Sequence, residues 1–391
     1  MHNTIYFTVS GIGFGHVGRS LRIAESFAEK GFKIVFSTYG EAVHYASANF
    51  PCFPLPEIKL GWKSKGGLSL RSTSKLLIKS ALPTFVKQVI MEMLIIEKMK
   101  PSLIISDSRG SSILAAKIKS KPVLTIANQL AVFLPSQKTG KFFIKLANFL
   151  SPVLFPKIWN LSDIIALIDL PPPYTISKRN INARVNPKKI IFVGLIGKEA
   201  NLSDEFLKSM ESLFKDPRKP TIYVSATGPS KERRIFVQKM RNIALRLKRY
   251  FNFIFTLGEI KTKPCLVKTS EGIIEYSWFP EREKLIKFAK IVISRAGRAT
   301  IDQCILNHRP ILVIPSSRQT EQEENARRIN ELGLGKAIFE NELNPERIKK
   351  ALYAIDENYS LHLRKLSLLS NLSRRLGGVN KVTELALRIM K

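Results

Sequence analysis

The sequence predicts an α/β protein with two doubly wound, Rossmann-like domains, each built on a parallel sheet. Its 391 residues exceed what one compact core usually supports. Short apolar runs alternate with helical stretches, which is typical of parallel β-α-β units. Residues 291–315 contain one such unit in full. We therefore predict a first domain at residues 1–194, a second at 195–365, and a helical tail at 366–391 that is broken at Gly377-Gly378 and can cross back to the first domain.

The composition is strongly basic and indicates an anionic partner. Lys and Arg number 63 against 31 Asp and Glu, so the formal net charge is +32. Nucleic acid, a membrane surface or a phosphorylated substrate would fit such a charge. Cys52, Cys265 and Cys304 lack the spacing of a metal site or a disulfide framework. The chain shows no signal peptide and no apolar run long enough to span a bilayer, so we expect a cytoplasmic protein.

A glycine-rich loop follows the first predicted strand, residues 4–10. Gly13, Gly15 and Gly18 fit the dinucleotide pattern G-x-G-x-x-G. The ribose-binding acid that this pattern needs is represented only by Glu41, which begins a helix. The other interpretation is that the glycines let the backbone approach a substrate and present His16 at the tip of the loop.

Polar side chains follow two further strands of the first domain. Asp107 ends the strand at 101–107, and Asn128 and Gln129 follow the strand at 121–127. Because the carboxyl ends of parallel strands form the ligand-binding edge, His16 and Asp107 are expected on one rim. A His oriented by a carboxylate can act as general base toward a sugar hydroxyl. The alternative is that Asp107 caps the following helix.

Residues 58–160 carry 17 Lys or Arg against three acidic residues. Large apolar residues alternate with Lys in this region, which favours contact in the plane of a membrane over a span. The predicted lipid-contacting residues are Phe142, Phe143, Lys145, Phe149 and Trp159. A core helix with a solvated basic face is the alternative. Nucleic acid is disfavoured because no zinc-finger, RNP or KH pattern occurs.

The strongest anion-binding signal in the second domain is the turn at residues 294–297, between a buried strand and a helix. Free helix N-terminal amides, the helix dipole and Arg295 all favour a phosphate there. The alternative is an ordinary turn with a surface Arg. The loop at Thr227 and Gly228 follows the first strand of this domain in the same way.

Two further groups complete the predicted donor site. Trp278 and Phe279 are expected on a loop, where they either stack on a base or fill an interface. Glu321, Gln322 and Asn325 lie on one side of a helix start and can bind sugar hydroxyls. A solvated, acid-rich helix start is the alternative for the latter group.

Together these features resemble the GT-B glycosyltransferases and, more narrowly, the MurG-like family (glycosyltransferase family 28) and its archaeal relatives. The resemblance covers almost the whole chain. The matching motif residues are Gly13, Phe14, Gly15 and His16; Asn128 and Gln129; Gly194; Ser225, Thr227 and Gly228; Ser294, Arg295, Gly297, Thr300 and Gln303; and Gln322 and Asn325. Gln303 replaces the family's Glu. The change removes charge-assisted hydrogen bonds to a ribose, which are commonly stronger than neutral hydrogen bonds by about 1 kcal/mol.

The resemblance implies inverting transfer from a UDP-sugar, without a cofactor or an obligatory metal. His16 and Asp107 would be catalytic, and Gly13, Phe14, Gly15, Asn128 and Gln129 would face the acceptor. The implied donor-binding residues are Ser225, Thr227, Gly228, Trp278, Phe279, Arg295, Ala296, Gly297, Thr300, Gln303, Glu321, Gln322 and Asn325.

The implied sugar is an N-acetylhexosamine. The implied acceptor is a lipid-diphosphate-linked cell-wall precursor at the anionic inner face of the cell membrane. Three alternatives stay open: a soluble transferase with a small acceptor, a nicotinamide enzyme that uses the first glycine loop, and a non-catalytic nucleotide-sugar binding protein.

Overall fold

The computed structural model describes residues 3–57, 82–131, 151, 155–179, 181, 184–259, 264–317 and 319–390. The chain divides into two compact units. The first unit comprises residues 1–196 and 372–391, and the second comprises residues 197–371. The predicted boundaries, at residues 194 and 365, lie close to these divisions. Among the described helices, none is long and apolar enough to cross a membrane.

The first unit alternates strands and helices as the sequence predicts. Its strands are β1 (Thr4–Val9), β2 (Lys33–Thr38), β3 (Cys52–Pro54), β4 (Leu103–Asp107), β5 (Val123–Ala127), β6 (Ile164–Leu167) and β7 (Ile190–Phe192). Its helices before the linker include α1 (Gly15–Ala28), α2 (Ala42–Ser47), α3 (Leu82–Met99) and α4 (Gly110–Ile118).

These seven strands form one parallel sheet in the order β3-β2-β1-β4-β5-β6-β7. Chain order runs outward in one direction from β1 and in the other from β4. The loops that follow these two strands therefore diverge and leave a crevice at the carboxyl edge. Val9 pairs with Asp107, so the glycine-rich loop after β1 and the Asp107 side chain share that edge.

Buried apolar side chains cover both faces of this sheet, as the continuous apolar strands require. Phe7 and Phe36 pack on the face that contacts Phe27 of α1. Ile104 packs on the opposite face, toward Ile113 of α4. Each fully buried side chain of this size contributes about 1.5–3 kcal/mol, and the two layers hold the carboxyl edge in place.

Trp159 belongs to the second of these layers, and the prediction that it contacts lipid is wrong. Its ring is buried, and its indole N–H donates to the Leu130 carbonyl oxygen at 3.0 Å. A Trp of this kind stabilises the core through its area and satisfies its one donor internally. The other predicted lipid-contacting residues, Phe142, Phe143, Lys145 and Phe149, lie outside the described residues.

The second unit repeats the arrangement. Its strands are β8 (Thr221–Ser225), β9 (Asn252–Thr256), β10 (Cys265–Ser270), β11 (Ile273–Trp278), β12 (Ile291–Ser294), β13 (Ile311–Val313) and β14 (Gly335–Ala337). Its helices are α5 (Asp204–Ser212), α6 (Ser230–Leu247), α7 (Arg282–Phe288), α8 (Arg298–Leu306), α9 (Thr320–Leu332) and α10 (Pro345–Glu357). A 3₁₀ turn, Glu340–Glu342, follows β14.

The second sheet has the order β10-β11-β9-β8-β12-β13-β14 and is parallel except for the β10–β11 pair. Its order reverses between β8 and β12, where Ser225 pairs with Ser294. The predicted class, two doubly wound parallel sheets, is confirmed. One detail is corrected: Trp278 lies in strand β11 and not on a loop.

The C-terminal region forms α11 (Tyr359–Leu376) and α12 (Val379–Met390). The predicted break at Gly377 and Gly378 is confirmed, and both glycines have positive φ, +93° and +52°. Gly378 N donates to the Val193 carbonyl oxygen at 2.7 Å. Helix α12 packs against α1, so this end of the chain completes the core of the first unit.

Candidate functional site

His16 is the second residue of α1 and lies directly beyond the glycine-rich loop. Gly13 has φ +69°, which the left-handed region permits for glycine at little cost. A Cβ built on Gly11 would lie 2.0 Å from the Tyr39 carbonyl oxygen. At residue 11 the loop therefore needs glycine so that it can pack against the end of β2. Phe14 contacts the ring of Tyr45 edge-on, with 6.2 Å between centroids.

The structure brings His16 and Asp107 together, as the sequence predicts. His16 Nδ1 lies 2.8 Å from Asp107 Oδ1, and Asp107 is fully buried. Three more donors bind this carboxylate: Arg19 Nε reaches Oδ2 at 2.7 Å, Arg19 Nη2 reaches Oδ1, and Ser20 Oγ reaches Oδ2 at 2.9 Å. Each carboxylate oxygen thus accepts two hydrogen bonds.

Asp107 is ionised in this setting. Burial by itself raises the pKa of the Asp107 carboxyl, but the adjacent charges of Arg19 and His16, with their hydrogen bonds, outweigh burial and hold the pKa well below its usual range. An ionised carboxylate only accepts hydrogen bonds. The proton of a neutral His16 therefore belongs on Nδ1, which leaves the lone pair on Nε2 for proton transfer.

Sequence reasoning missed Arg19, which connects most of this group. Its guanidinium spans both oxygens of Asp107 and also donates from Nη1 to Asn128 Oδ1 at 3.2 Å. We call His16, Arg19, Ser20, Asp107 and Asn128 the His16 cluster. The available signal was spacing: Arg19 follows His16 by three residues, so both side chains lie on one side of the helix start. Gln129, half-buried, follows Asn128, and its predicted acceptor contact stays a prediction.

In the second unit, residues 294–297 form the strand-to-helix turn that we call the Arg295 turn. Ala296 has φ +58°, an uncommon and strained conformation for a residue with a Cβ. Asn325 Nδ2 donates to the Ala296 carbonyl oxygen at 3.0 Å and holds the turn in this shape. Gly297 is then the N-cap of α8, so the free amides of α8 begin at the turn.

Arg295 is buried beneath the turn instead of extending into solvent. Its Nη1 donates to Glu340 Oε1 at 3.1 Å, and its guanidinium carbon lies 4.7 Å from the centroid of the Phe236 ring. Glu340 also accepts from Lys239 Nζ at 3.0 Å and from Ser317 Oγ at 2.7 Å. Burial opposes ionisation of Glu340, yet Arg295 and these donors outweigh it and lower its pKa to about 2.

Four buried polar atoms at this end of the second sheet have no hydrogen-bond partner among the described residues. They are Ser225 Oγ, Ser294 Oγ, Arg295 Nε and Asn325 Oδ1. Ser225 and Ser294 are paired between β8 and β12, where the strand order reverses, and Asn325 contacts the Arg295 turn. Buried polar groups in proteins are nearly always hydrogen-bonded, and exceptions often mark functional positions. This group can donate to, and accept from, a polar ligand.

The Thr227-Gly228 loop lies beside the start of α8, as predicted. A Cβ built on Gly297 would lie 3.9 Å from Thr227 Oγ1. Gly228 has φ +100°, and its carbonyl oxygen accepts from Arg233 Nη1 at 2.9 Å. The backbone of two loops therefore converges on the carboxyl edge where the sheet order reverses.

Several predicted donor-binding residues have other contacts. Phe279 is buried and packs against Tyr276 and Phe206, with centroids 5.1 Å and 6.4 Å away, so it fills the core of the second unit and does not stack on a base. Asn325 is fully buried and holds the turn rather than facing a sugar. Gln322 Oε1 accepts from Ser316 N at 2.8 Å. Trp278 and Glu321 are half-buried.

Gln303 and Thr300 lie inside α8 and are buried. Gln303 Oε1 accepts from Asn307 Nδ2 at 3.3 Å and lies 3.4 Å from Lys198 N, in the segment that follows the first unit. A Cβ at Gly197 would lie 3.1 Å from Gln303 Nε2. The amide therefore supports the packing of residues 197–198, and its role toward a ribose stays a prediction.

No group of three or more His, Cys, Asp or Glu side chains is arranged to hold a metal ion in the part of the chain that the structure describes. The prediction that transfer needs no metal is not tested by this observation.

Two family models match the chain, one in each unit. Residues 223–366 match the glycosyltransferase family 28 C-terminal domain, and this range includes the Arg295 turn. Residues 3–143 match a model described as glycosyl transferase family 1, and this range includes His16 and Asp107. The two predicted sites thus fall within separate matched regions.

Similar proteins support the same enzyme class. A Methanosarcina mazei protein, "Uncharacterized glycosyltransferase", is 26% identical over 97% of this chain and 98% of its own length. An N-acetylglucosamine transferase from Prochlorococcus marinus, named for pyrophosphoryl-undecaprenol, is 27% identical over 45% of this chain and 48% of its own. A crystal structure of the glycotransferase of kitacinnamycin has a TM-score of 0.67 and 15% identity, and covers 99% of both chains.

Proposed function

The chain is a glycosyltransferase with the GT-B fold, and we propose that it transfers a sugar from a nucleoside diphosphate sugar to an acceptor hydroxyl with His16 as general base. The observation that carries the proposal is the 2.8 Å contact between His16 Nδ1 and the buried, ionised Asp107. That contact fixes the ring and leaves the lone pair of Nε2 available to accept a proton from the acceptor hydroxyl. Such a base typically contributes about 10²–10⁴-fold to the rate.

The proposed reaction proceeds in one displacement. The acceptor oxygen forms a bond to the anomeric carbon while its proton passes to His16 Nε2. The bond from the anomeric carbon to the diphosphate oxygen breaks, and the nucleoside diphosphate leaves with the electron pair. Attack from the opposite side inverts the anomeric centre. No metal is needed if backbone amides and a cation stabilise the leaving diphosphate.

The Arg295 turn is the proposed position of that diphosphate. The N-terminal amides and dipole of α8 favour negative charge. The unpartnered atoms Ser225 Oγ, Ser294 Oγ and Arg295 Nε lie buried at the same edge. A diphosphate supplies acceptor oxygens for hydroxyl and guanidinium donors. We propose UDP as the nucleotide and an N-acetylhexosamine as the sugar, in line with the MurG-like resemblance and the name of the Prochlorococcus marinus relative.

For the acceptor we propose a lipid-diphosphate-linked cell-wall precursor at the cytoplasmic face of the membrane. The relative's name includes pyrophosphoryl-undecaprenol, and the net charge of +32 favours an anionic surface. Helix α3 adds a second argument, because an apolar row lies on its exposed side. The row consists of Leu82, Val86, Ile90 and Leu94, which are 68%, 49%, 53% and 62% exposed.

This row has the character of an interfacial contact. Its members recur every fourth residue and therefore follow one side of the helix. Lys87, Lys98 and Lys100 are exposed on or just after the same helix, where they can reach lipid phosphates. We propose that the row inserts at the level of the headgroups and brings the first unit to a lipid-linked substrate.

A vesicle experiment tests the membrane proposal. The Ile90→Ser/Leu94→Ser double variant should lose most flotation with vesicles that contain an anionic phospholipid. The matched control, Leu266→Ser/Val267→Ser, removes two adjacent exposed apolar residues, 46% and 51%, from the second unit and should float like the wild type. Equal flotation of both variants with the wild type would reject the membrane contact.

A soluble acceptor is the second candidate, and it is favoured by the burial of Trp159, one of the residues predicted to contact lipid. Both candidates share the donor chemistry. Release of UDP from UDP-N-acetylglucosamine, measured with a polyprenyl-diphosphate-linked sugar and with a short soluble analogue of it, separates them. The first candidate predicts that only the lipid-linked acceptor in vesicles gives rapid turnover.

A further inference from the structure

Arg19 occupies a position that a His–carboxylate pair does not require. A carboxylate alone orients the imidazole and stabilises the imidazolium that forms when the base takes a proton. Here a guanidinium binds the same carboxylate through Nε and Nη2. Its Nη2 also lies 2.9 Å from His16 Nδ1. The side chains of Arg19 and His16 are 9% and 20% exposed, and that of Asp107 is 0% exposed, so water screens these charges weakly.

The hydrogen-bond geometry decides how the protons are arranged. Nδ1 of His16 cannot donate to Asp107 and accept from Arg19 at the same time in one neutral tautomer. Asp107 Oδ1 accepts only, so its contact at 2.8 Å requires a proton on Nδ1. Arg19 donates from Nη2 to Oδ1, from Nε to Oδ2 and from Nη1 to Asn128 Oδ1, and a protonated Nδ1 leaves no lone pair on that atom for the second N–H of Nη2. The 2.9 Å approach of Nη2 to Nδ1 is therefore a contact between two groups that bind one oxygen.

Charge balance follows from this arrangement. Asp107 and Arg19 together are neutral, and the cluster gains a net positive charge only when His16 takes a second proton. That charge would arise beside a buried guanidinium. Among the residues that the structure describes, the charged groups in contact with His16 are Asp107 at the end of β4 and Arg19 on its own helix. Ser20 and Asn128 are the uncharged polar neighbours of the pair.

We propose that Arg19 is a positioning residue of the catalytic pair: it clamps both oxygens of Asp107 and cancels the carboxylate charge, so that His16 is held as the neutral Nδ1–H tautomer. Asp107 then orients the ring without drawing a second proton onto it. The inference rests on the proposed function of His16 as general base, and it adds to that function a residue that holds the base in the tautomer whose Nε2 lone pair can take a proton.

Histidine NMR tests the inference without any substrate. The chain has five His residues, and protein labelled with ¹³C,¹⁵N-histidine gives few ring signals, of which His16→Ala identifies one. The variants are Arg19→Gln, which keeps donors but removes the charge, and Arg19→Lys, which keeps the charge but loses the fork. Lys30→Ala, an exposed charge just after α1, is the matched control.

In the wild type we expect ¹⁵N shifts of the Nδ1–H tautomer. In Arg19→Gln a larger share of the ring should carry the second proton when both proteins are compared at one pH, because the buried charge of Asp107 is then left without its guanidinium. Arg19→Lys, which keeps the charge, should stay closer to the wild type than Arg19→Gln does. Lys30→Ala should match the wild type. Circular dichroism and thermal unfolding establish that each variant is folded.

The inference is overturned if Arg19→Gln and the wild type have the same share of doubly protonated ring at one pH, or if the wild-type ring is the Nε2–H tautomer. Should Arg19→Gln fail to fold, Arg19→Lys still decides the tautomer, since loss of the fork should lower the Nδ1–H population. Failure of the proposed function is a separate result: His16→Ala would then retain turnover, whatever its ring titration in the parent protein.

Discussion

The strand order reverses once in each sheet, and the buried polar groups at these two positions differ in how completely they are hydrogen-bonded. Between β1 and β4 in the first unit, Asp107 is saturated, with two donors on each carboxylate oxygen. Between β8 and β12 in the second unit, Ser225 Oγ, Ser294 Oγ, Arg295 Nε and Asn325 Oδ1 are buried without partners among the described residues. The same topology therefore holds a saturated carboxylate in the first unit and a group of unpartnered polar atoms in the second.

The difference indicates a division of tasks. A satisfied polar network is rigid and fixes the orientation of its members, which suits proton transfer by a single imidazole. Unsatisfied buried groups cost free energy, about 1–3 kcal/mol each, and this cost is recovered when a ligand supplies the partners. This contrast agrees with the proposal that the first unit supplies the general base and that the second holds the nucleotide sugar.

The largest expected effect comes from the His16 cluster in the first unit. His16→Ala should lower kcat by about 10²–10⁴-fold and, because it also removes a donor to the buried Asp107 carboxylate, should lower the free energy of unfolding by about 1–3 kcal/mol, as Ser20→Ala does. UDP release during transfer measures kcat, and calorimetry measures UDP binding, which should be preserved. Turnover within threefold of the wild type would contradict the proposed role of His16 as general base.

The next largest effect concerns the Arg295 turn in the second unit. Arg295→Gln removes a charge-assisted donor, worth about 1.5–3 kcal/mol, so the KM for the UDP-sugar should rise by at least tenfold. Lys239→Ala is the control, since it also removes a cation from Glu340 while lying 42% exposed, and it should change KM little. An equal effect of both variants would mean that Glu340, and not the donor, is the partner that matters.

Two serine variants, one in each unit, test this contrast directly. Ser20→Ala deletes a donor to a buried carboxylate and should lower the free energy of unfolding by about 1–3 kcal/mol. Ser294→Ala deletes a buried hydroxyl without a recorded partner, so it should be neutral or stabilising, yet weaken donor binding by about fivefold. Denaturant unfolding and UDP calorimetry test both. Equal destabilisation by the two variants would contradict the contrast.

The smallest effect is a pH dependence from Glu340. Its pKa is lowered to about 2 in the folded protein, from an ordinary value of about 4.3. A depressed pKa contributes stability above the unfolded value, and this stability is lost as the pH falls from about 4.3 to 2. Glu340→Gln should therefore reduce the unfolding temperature at pH 7 by a few degrees and flatten its fall over that window. Parallel curves for the two proteins would exclude this contribution.

Much of the fold followed from the sequence because apolar runs and helical periodicity are local signals. Strands β1, β8 and β12 each lie within a predicted apolar run, and Gly377-Gly378 marked the end of a helix. Strand β10 carries no such signal, since it is an exposed edge strand. Trp278 was expected on a loop, whereas pairing with Cys265 in the sheet extends β11 to that residue.

The candidate sites were predicted in position but only partly in detail. His16 and Asp107 could be paired because both follow strands that end at one edge. Arg19 could not, since its role depends on which way a long side chain turns within the fold. Asn325 was predicted to face a sugar, but its burial beneath Ala296 follows from tertiary packing that no local pattern records.

Calorimetric titration with UDP tests the central claim most directly. We predict that His16→Ala binds UDP with the affinity of the wild type, and that Arg295→Gln and Ser294→Ala bind it at least fivefold more weakly. The result that would contradict the account is the reverse: UDP affinity lost in His16→Ala and retained in Arg295→Gln, which would place the nucleotide against the first glycine-rich loop.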